Sequence, residues 1–352
     1  MIRIALRDLQ WRSRRVFIAV MGAALVLALA LVMSGLSAGF NNESSRTVTL
    51  ARGSGWVIDE GGTGPFLQPS PLSESRVQSI VDQVGPAHAA PFLFGRQSVH
   101  RPDGGNVGTH EHVNLVGAVA GRLGSPVAAR GDSVTGDGQA VVDVNLGVKI
   151  GEQIRLGSNE FRVVGTVKGA RLLAGVPNVY VTLRDAQRLA TNGQNLATAV
   201  VVDRAVKLPA GMKELTNDEA KVDGLRPVVN AQKTIAMVRS LLWLIAALIV
   251  GSVTYLSVLE RTKDLAVLKG MGARSVALSG SLAVQAAMVA VTASLIGAVI
   301  AKLIAPIFPL SSEIPMLAYL LLPVIAIGVG LFASLAAAKR VFAVEPALAF
   351  AS

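Results

Sequence analysis

Four stretches of this chain carry no charged side chain over 20 residues or more: Val16–Phe40, Ser240–Leu259, Ser275–Ala301 and Ile314–Ala338. A helix needs about 20 apolar residues to cross the hydrocarbon core of a bilayer. Each stretch therefore predicts a transmembrane helix. Apolar runs elsewhere, such as Ala197–Val202, are only long enough for strands. Five arginines precede the first run, as they would in a cleaved export signal. The apolar core of such a signal is only about 7–15 residues long, so the run is expected to be an uncleaved anchor.

Composition agrees with lipid as part of the solvent. Of the 352 residues, 51% are hydrophobic and 16% are charged, against about 25% charged in a typical soluble domain. There is no cysteine, which excludes disulfides, thiolate zinc sites and thiol nucleophiles. The net charge of +10 invites a nucleic-acid reading, but its distribution argues against one. Arg3, Arg7, Arg12, Arg14 and Arg15 precede the first run; Arg261, Lys263, Lys269 and Arg274 lie between the second and third; Lys339 and Arg340 follow the fourth. Basic flanks mark the cytoplasmic side. This places both termini in the cytoplasm of a multi-pass plasma (inner) membrane protein and residues 41–239 outside. That region holds 21 basic and 18 acidic residues, a modest excess. The positive balance is mainly a topology signal, and no nucleic acid is expected as a partner.

The expected fold class is membrane α-helical, with four transmembrane helices and an inserted extracytoplasmic α+β domain between helices 1 and 2. Small residues recur every four positions at Ala30, Ser34 and Ala38, at Ala293, Gly297 and Ala301, and at Ala326, Gly330, Ser334 and Ala338. Such rows let helices approach closely in lipid, although Gly, Ala and Ser are common throughout the chain. No run contains a charged residue, which argues against an ion-coupled carrier.

In residues 41–239, Leu72, Val77, Ile80, Val81 and Val84 recur at helical spacing between a possible Ser73 cap and Gly85-Pro86. Strands are expected near Gln97–His100 and Val113–Val119, then at Ala140–Val142, Asn145–Val148, Gln153–Leu156, Phe161–Lys168 and Asn178–Thr182, with a helix at Leu183–Ala190. His110-Glu111-His112 on a strand would turn both imidazoles to one face, but no further ligand stands at fixed spacing, so no metal is expected. Asp143 and Glu152 have no evident acidic partner, and no catalytic motif is present. Trp56 and the run Gly61-Gly62-Thr63-Gly64-Pro65 suggest a loop, with the indole either in the core or in contact with substrate or membrane.

Between the second and third runs, Leu265, Leu268 and Met271 share one helical face among charges, and Gly270 and Gly272 close the segment. Such a helix suits a groove on another protein or the surface of a bilayer. No G-x-x-x-x-G-K-[ST] phosphate loop exists anywhere in the chain, so it is not itself the usual ATPase.

Residues 260–274 resemble the E-R-x-x-E/D-hydrophobic-A/G-hydrophobic-L-K/R-A-hydrophobic-G signature of MacB/FtsX-type permeases of the type VII ABC transporter superfamily. Glu260, Arg261, Asp264, Leu268, Lys269 and Gly272 fit it, and Gly270 replaces the usual alanine. Leu6-Arg7-Asp8-Leu9, the blocks Gly147–Glu152 and Phe161–Gly165, and Val344-Glu345-Pro346-Ala347 are similar to further parts of that family.

The resemblance implies a layout. Residues 1–40 hold a short cytoplasmic helix and the first span, and 41–239 a MacB-like periplasmic core domain. Residues 240–352 hold an FtsX-like permease domain, with spans at 240–259, 275–301 and 314–338, a coupling loop at 260–274 and a cytoplasmic tail. The resemblance also implies two permeases working with two copies of a separate ABC ATPase. No cofactor is then held by this chain, since the partner ATPase binds ATP and Mg. Leu265, Leu268 and Met271 would insert into that ATPase, with Glu260, Arg261, Lys263, Asp264 and Lys269 around them. Membrane lipid and an extracytoplasmic protein complete the expected partners. Export of a substrate is the expected outcome. Activation of a cell-wall hydrolase, or the glutamine-transport label carried by some relatives, is the alternative. A membrane-anchored enzyme lacks a visible catalytic cluster, and the substrate-binding residues are unknown.

Overall fold

The computed structural model of the chain describes residues 13–67, 70–107, 111–260, 262–272, 274–305 and 314–343. It divides into two compact units, one built from the described parts of 1–39 and 231–352, the other from Phe40–Asn230.

The first unit is helical. It contains the first part of α1 (Ser13–Leu50), and below Phe40–Asn230 in chain order come α5 (Val229–Glu260), α6 (Thr262–Gly270), α7 (Ser275–Ile304) and α8 (Met316–Ala343). Val16–Leu50, Asn217–Glu260 and Ser275–Ile304 are each long and apolar enough to cross a membrane, and Met316–Phe332 is a shorter apolar stretch. The unit's core is made mainly of alanine and branched side chains: Ala23, Ala24, Leu27, Ala28 and Leu31 of α1, Ala246 and Val250 of α5, Ala286, Val289, Ala290 and Ala293 of α7, and Leu322 and Ala326 of α8. Small side chains suit close helix contact where lipid offers no hydrophobic drive to associate. A Cβ added at Gly297 would stand 2.8 Å from the carbonyl oxygen of Ala24, so glycine is required there. Pro323 lies inside α8, where it removes one helical hydrogen bond.

The second unit is α+β. Its elements are the end of α1, β1 (Gly55–Asp59), β2 (Leu72–Ser73), α2 (Glu74–Val84), β3 (Ala89–His100), β4 (His112–Ala118), β5 (Arg130–Gly131), β6 (Gln139–Asp143), β7 (Gln153–Leu156), β8 (Asn159–Val167), β9 (Arg171–Leu172), β10 (Val176–Thr182), α3 (Leu183–Ala190), β11 (Leu196–Ala197), β12 (Ala199–Val202), β13 (Met212–Thr216) and α4 (Asn217–Leu225). The main sheet runs β13-β1-β12-β3-β4-β10-β6-β8-β5, with β7 bridging β3 and β8, and β9 paired to β10. It is mixed: β4–β10 and β6–β8 are parallel, and the other pairs are antiparallel.

Alternation along the strands feeds separate cores. Trp56 and Ile58 of β1 and Phe92 and Phe94 of β3 enter one cluster. Val57 packs under α2 with Ile80, and Leu93 joins Leu115, Ile154 and Phe161. Trp56, Phe66, Phe92 and Phe94 meet edge to face, with ring centroids 5.1–6.2 Å apart, the arrangement that aromatic quadrupoles favour.

Several expectations shift at their edges. Leu72 pairs with β11 rather than opening α2; Ser73 takes the N-cap position of α2, as expected, but it also pairs with β11 and makes no side-chain cap bond. The strand expected at Asn145–Val148 is instead a 3₁₀ turn, Val144–Leu146. Asp143 drives that change by accepting from the backbone N–H of Asn145 at 2.9 Å, and Gly147 closes the turn at φ +74°. Trp56 lies on β1, fully buried, in a continuous apolar run whose two faces both meet core. The first helix also continues ten residues past the apolar run, to Leu50. Nothing in Asn41–Thr49 breaks a helix, as that polar stretch holds neither proline nor glycine.

Candidate functional site

The loop between α5 and α7 folds as the short helix α6. The Thr262 hydroxyl donates to the carbonyl of Leu259 at 2.8 Å, which joins α6 closely to α5. Gly270 is the last helical residue, and Gly272, at φ +93°, ends the segment in a conformation that L side chains rarely adopt. Ala266 is fully buried and supplies the inward contact. Leu268 is 38% exposed and Met271 71% exposed, while Val267 on the same helix is 45% exposed. Glu260 and Asp264 are exposed, and Lys269 is half-buried. Arg261 lies outside the described residues, as do the side chains of Lys263 and Leu265. Two of the three expected apolar anchors are therefore seen facing outward, beside exposed acidic groups.

The expected packing residues fall as follows. Ala30 is fully buried, and Ser34 and Ala38 are half-buried. Ser34 donates to the Ala30 carbonyl at 3.0 Å and lies 3.5 Å from the Arg239 guanidinium. Ala326 and Ser334 are buried, and Gly330 sits against α7. The α6 segment and these packing residues all belong to the first unit.

In the second unit, His112 opens β4 and is exposed, while His110 lies outside the described residues. His88 Nδ1 is 2.9 Å from Asp203. Among the described residues no group of three or more histidines and carboxylates is placed to hold a metal ion. Glu152 lines an open groove of about 460 Å³ with Arg101, Asp103 and Gln153, and it accepts from the Lys149 N–H.

A buried polar seam was not legible as a site from the sequence. Along α1, Glu43, Ser44 and Thr47 are all buried. Glu43 accepts from the Gly175 N–H at 3.0 Å, and its other oxygen is 3.9 Å from Arg171 Nε. Ser44 donates to the Lys221 carbonyl at 2.7 Å, against α4. Thr47 donates to the Arg171 carbonyl at 2.9 Å and accepts from Asn178 at 3.1 Å. Behind them Asn114 donates to Asn178 Oδ1 and to the carbonyl of Val176. Tyr180 lies beside Asn178, and burial pushes its phenol pKa well above the ordinary value. Asp143 receives the Ala170 N–H at 2.7 Å. The only available sequence signal was the four-residue spacing of Glu43 and Thr47 just beyond the apolar run.

A second anchor holds the glycine-rich loop. Asp223 of α4, 1% exposed, accepts from the Phe66 and Leu67 N–H groups at 3.0 and 3.3 Å and from the Thr63 hydroxyl. Any Cβ at Gly64 would collide with that carboxylate.

Comparison with known proteins accounts for both units. The model of the FtsX-like permease C-terminal family matches residues 236–346, and that of the MacB-like periplasmic core domain matches residues 16–218. The uncharacterized ABC transporter permease Rv2563 of Mycobacterium tuberculosis is 37% identical over 352 residues, covering 99% of each chain. A second from that organism, Rv0072, is 37% identical over 358 residues, again covering 99% of each. Among solved structures, the periplasmic region of MacB from Actinobacillus actinomycetemcomitans aligns with 51% of this chain and 94% of its own, at 12% identity and a TM-score of 0.34.

Proposed function

We propose that this chain, which belongs to the MacB/FtsX-like family of ABC transporter permeases, couples ATP hydrolysis in a separate ATPase subunit to movement of its α+β domain, and so extrudes a substrate on the outer side of the plasma membrane. The observation that carries this reading is α6, a short helix between two long apolar ones, with Leu268 and Met271 exposed. An exposed apolar pair rimmed by charge is the anatomy of a docking element.

In this reading four helices span the bilayer and both termini are cytoplasmic, as the basic flanks favour. Residues 41–239 lie outside and 260–274 is the coupling loop. Two copies of the chain work with two ATPase subunits, which hold ATP and Mg. Leu265, Leu268 and Met271 enter a groove on the ATPase, while Glu260, Arg261 and Lys263 set the orientation at its rim. Buried apolar anchors contribute more to such contacts than solvent-screened rim charges.

The test is co-purification of the ATPase and ATP turnover in membranes. Leu268→Asp places an unpaired carboxylate in the groove, which costs several kcal/mol, and should release the ATPase or uncouple it. Lys263→Ala should retain most of both. Normal assembly and turnover with Leu268→Asp would mean that α6 lies on lipid and that the coupling surface is elsewhere.

A further inference from the structure

The hairpin that follows β9 turns through two non-glycine residues in the left-handed region, Leu173 at φ +58° and Ala174 at φ +65°, before Gly175 at φ +90°. One such residue is uncommon, and two in succession without an Asn or Asp between them are rarer still. Backbone of this kind persists only where surrounding contacts over-determine it, and it gathers at switch regions.

The contacts that hold it come from α1. Glu43 takes the Gly175 N–H, and Thr47 takes hold of the Arg171 carbonyl. From the sheet side, Asn114 binds the carbonyls of Leu172 and Val176, the two ends of the turn. The clamp is incompletely satisfied: Asn114 Oδ1 and Arg171 Nε are both buried and lack a hydrogen-bond partner among the described residues. Buried polar groups are normally paired, and an imperfect network suits a contact made in only one of two states.

The hairpin also occupies a central place. It leads directly into β10, which lies between β4 and β6 in the middle of the sheet. Gly224 of α4 packs against both Ser44 and Leu172, since a Cβ there would meet Ser44 Oγ at 2.7 Å and Leu172 Cδ1 at 2.9 Å. The end of α1, the hairpin and α4 are therefore in mutual contact inside the second unit.

We propose that the Arg171–Val176 hairpin is a latch held shut by Glu43 and Thr47 of α1, and that displacement of α1 opens it and passes the movement to β10. The inference rests on the coupling role proposed above, in which α1 moves with the nucleotide cycle. On displacement the Glu43 carboxylate leaves the Gly175 N–H and Arg171. The left-handed pair then relaxes, and the strain it held favours opening.

The experiment is amide hydrogen exchange, read by mass spectrometry on the full chain in nanodiscs, with and without its ATPase and ATP. Without ATPase, Glu43→Ala should speed exchange across Arg171–Asn178 about tenfold or more, the effect expected for losing a charge-assisted bond. Exchange in β12 should not change, and Ser44→Ala, which removes a hydroxyl bonded to the Lys221 carbonyl of α4, should leave the hairpin protected. With ATPase and ATP, the wild-type hairpin should move toward the Glu43→Ala pattern. Ala174→Gly, which removes the left-handed penalty and keeps every contact, should reduce that nucleotide response and decides the matter should Glu43→Ala unfold the domain. An unchanged hairpin in Glu43→Ala overturns the latch. So does a nucleotide response elsewhere in the second unit that leaves Arg171–Asn178 untouched. The absence of any nucleotide response in the whole chain would overturn the coupling reading itself, and the latch with it.

Discussion

Gly330 packs so closely on Ala286 that a Cβ added to it would stand 2.9 Å from the Ala286 carbonyl oxygen. That contact joins α7 and α8 along the row Ala326, Gly330, Ser334. Gly330→Val should force the helices apart at about 1–3 kcal/mol, the usual cost of overpacking, and lower the thermal midpoint of the chain in detergent. Gly328→Val, with nothing within 4 Å of its added Cβ, is the control and should change it little.

Trp56 should dominate the stability of the second unit. Its ring is fully buried against Phe66 and Phe92, and its indole N–H donates to Asn217 at 2.9 Å. Trp56→Ala is expected to cost about 3–5 kcal/mol, seen as a lower denaturant midpoint by circular dichroism. Trp56→Phe should recover part of the loss by refilling the space.

Removing the Asp223 carboxylate leaves the Phe66 and Leu67 N–H groups without that acceptor. Asp223→Ala should therefore cost about 1–3 kcal/mol and open the 61–67 loop to protease. Asp223→Asn, which keeps one acceptor oxygen, should be cleaved more slowly.

Acid should weaken the second unit in a defined direction. The Gly61 N–H, followed by Arg76, holds the Asp59 carboxyl below its ordinary pKa, and the Thr216 backbone and hydroxyl do the same for Glu219 in a capping box. A carboxyl with a depressed folded-state pKa adds stability that is fully present above its unfolded value, near 4. That stability is lost as pH falls through the lower, folded value. Glu219→Gln should flatten the loss of stability between about pH 5 and pH 3, measured by thermal unfolding across that range.

Topology can be read by labelling, since the chain has no cysteine of its own. Arg130→Cys and Met271→Cys, both at exposed positions, should react with an impermeant maleimide from opposite faces of the membrane. Labelling of both from one face would sink the proposed orientation.

Much of the fold was written in hydropathy. Apolar runs without charge are unambiguous, so the long helices were legible, and so were Leu183–Ala190 and the strands whose alternation is regular. What escaped was set by tertiary contact. Leu72 left its helix because β11 offered it a partner, and Val144–Leu146 curled because Asp143 captured a neighbouring N–H. Glu43 and Thr47 lie in a short polar stretch just beyond an apolar run, with no local mark of their burial. Their role depends on Arg171 and Gly175, more than a hundred positions away, and no local pattern encodes that separation.

The place of β1 in the sheet bears on how the chain is made. Gly55–Asp59 pairs with β12 and β13, elements that end at Val202 and Thr216. A strand that is translated early thus waits for partners translated late. At ~5–20 residues per second the interval is on the order of ten seconds or more, during which the strands on both sides of Trp56 are missing. Non-local pairing of this kind is slow and leaves apolar surface open to aggregation. The nascent domain is therefore expected to depend on a chaperone throughout that interval, and a truncation anywhere before Thr216 should yield a sticky, protease-sensitive fragment instead of a smaller folded one.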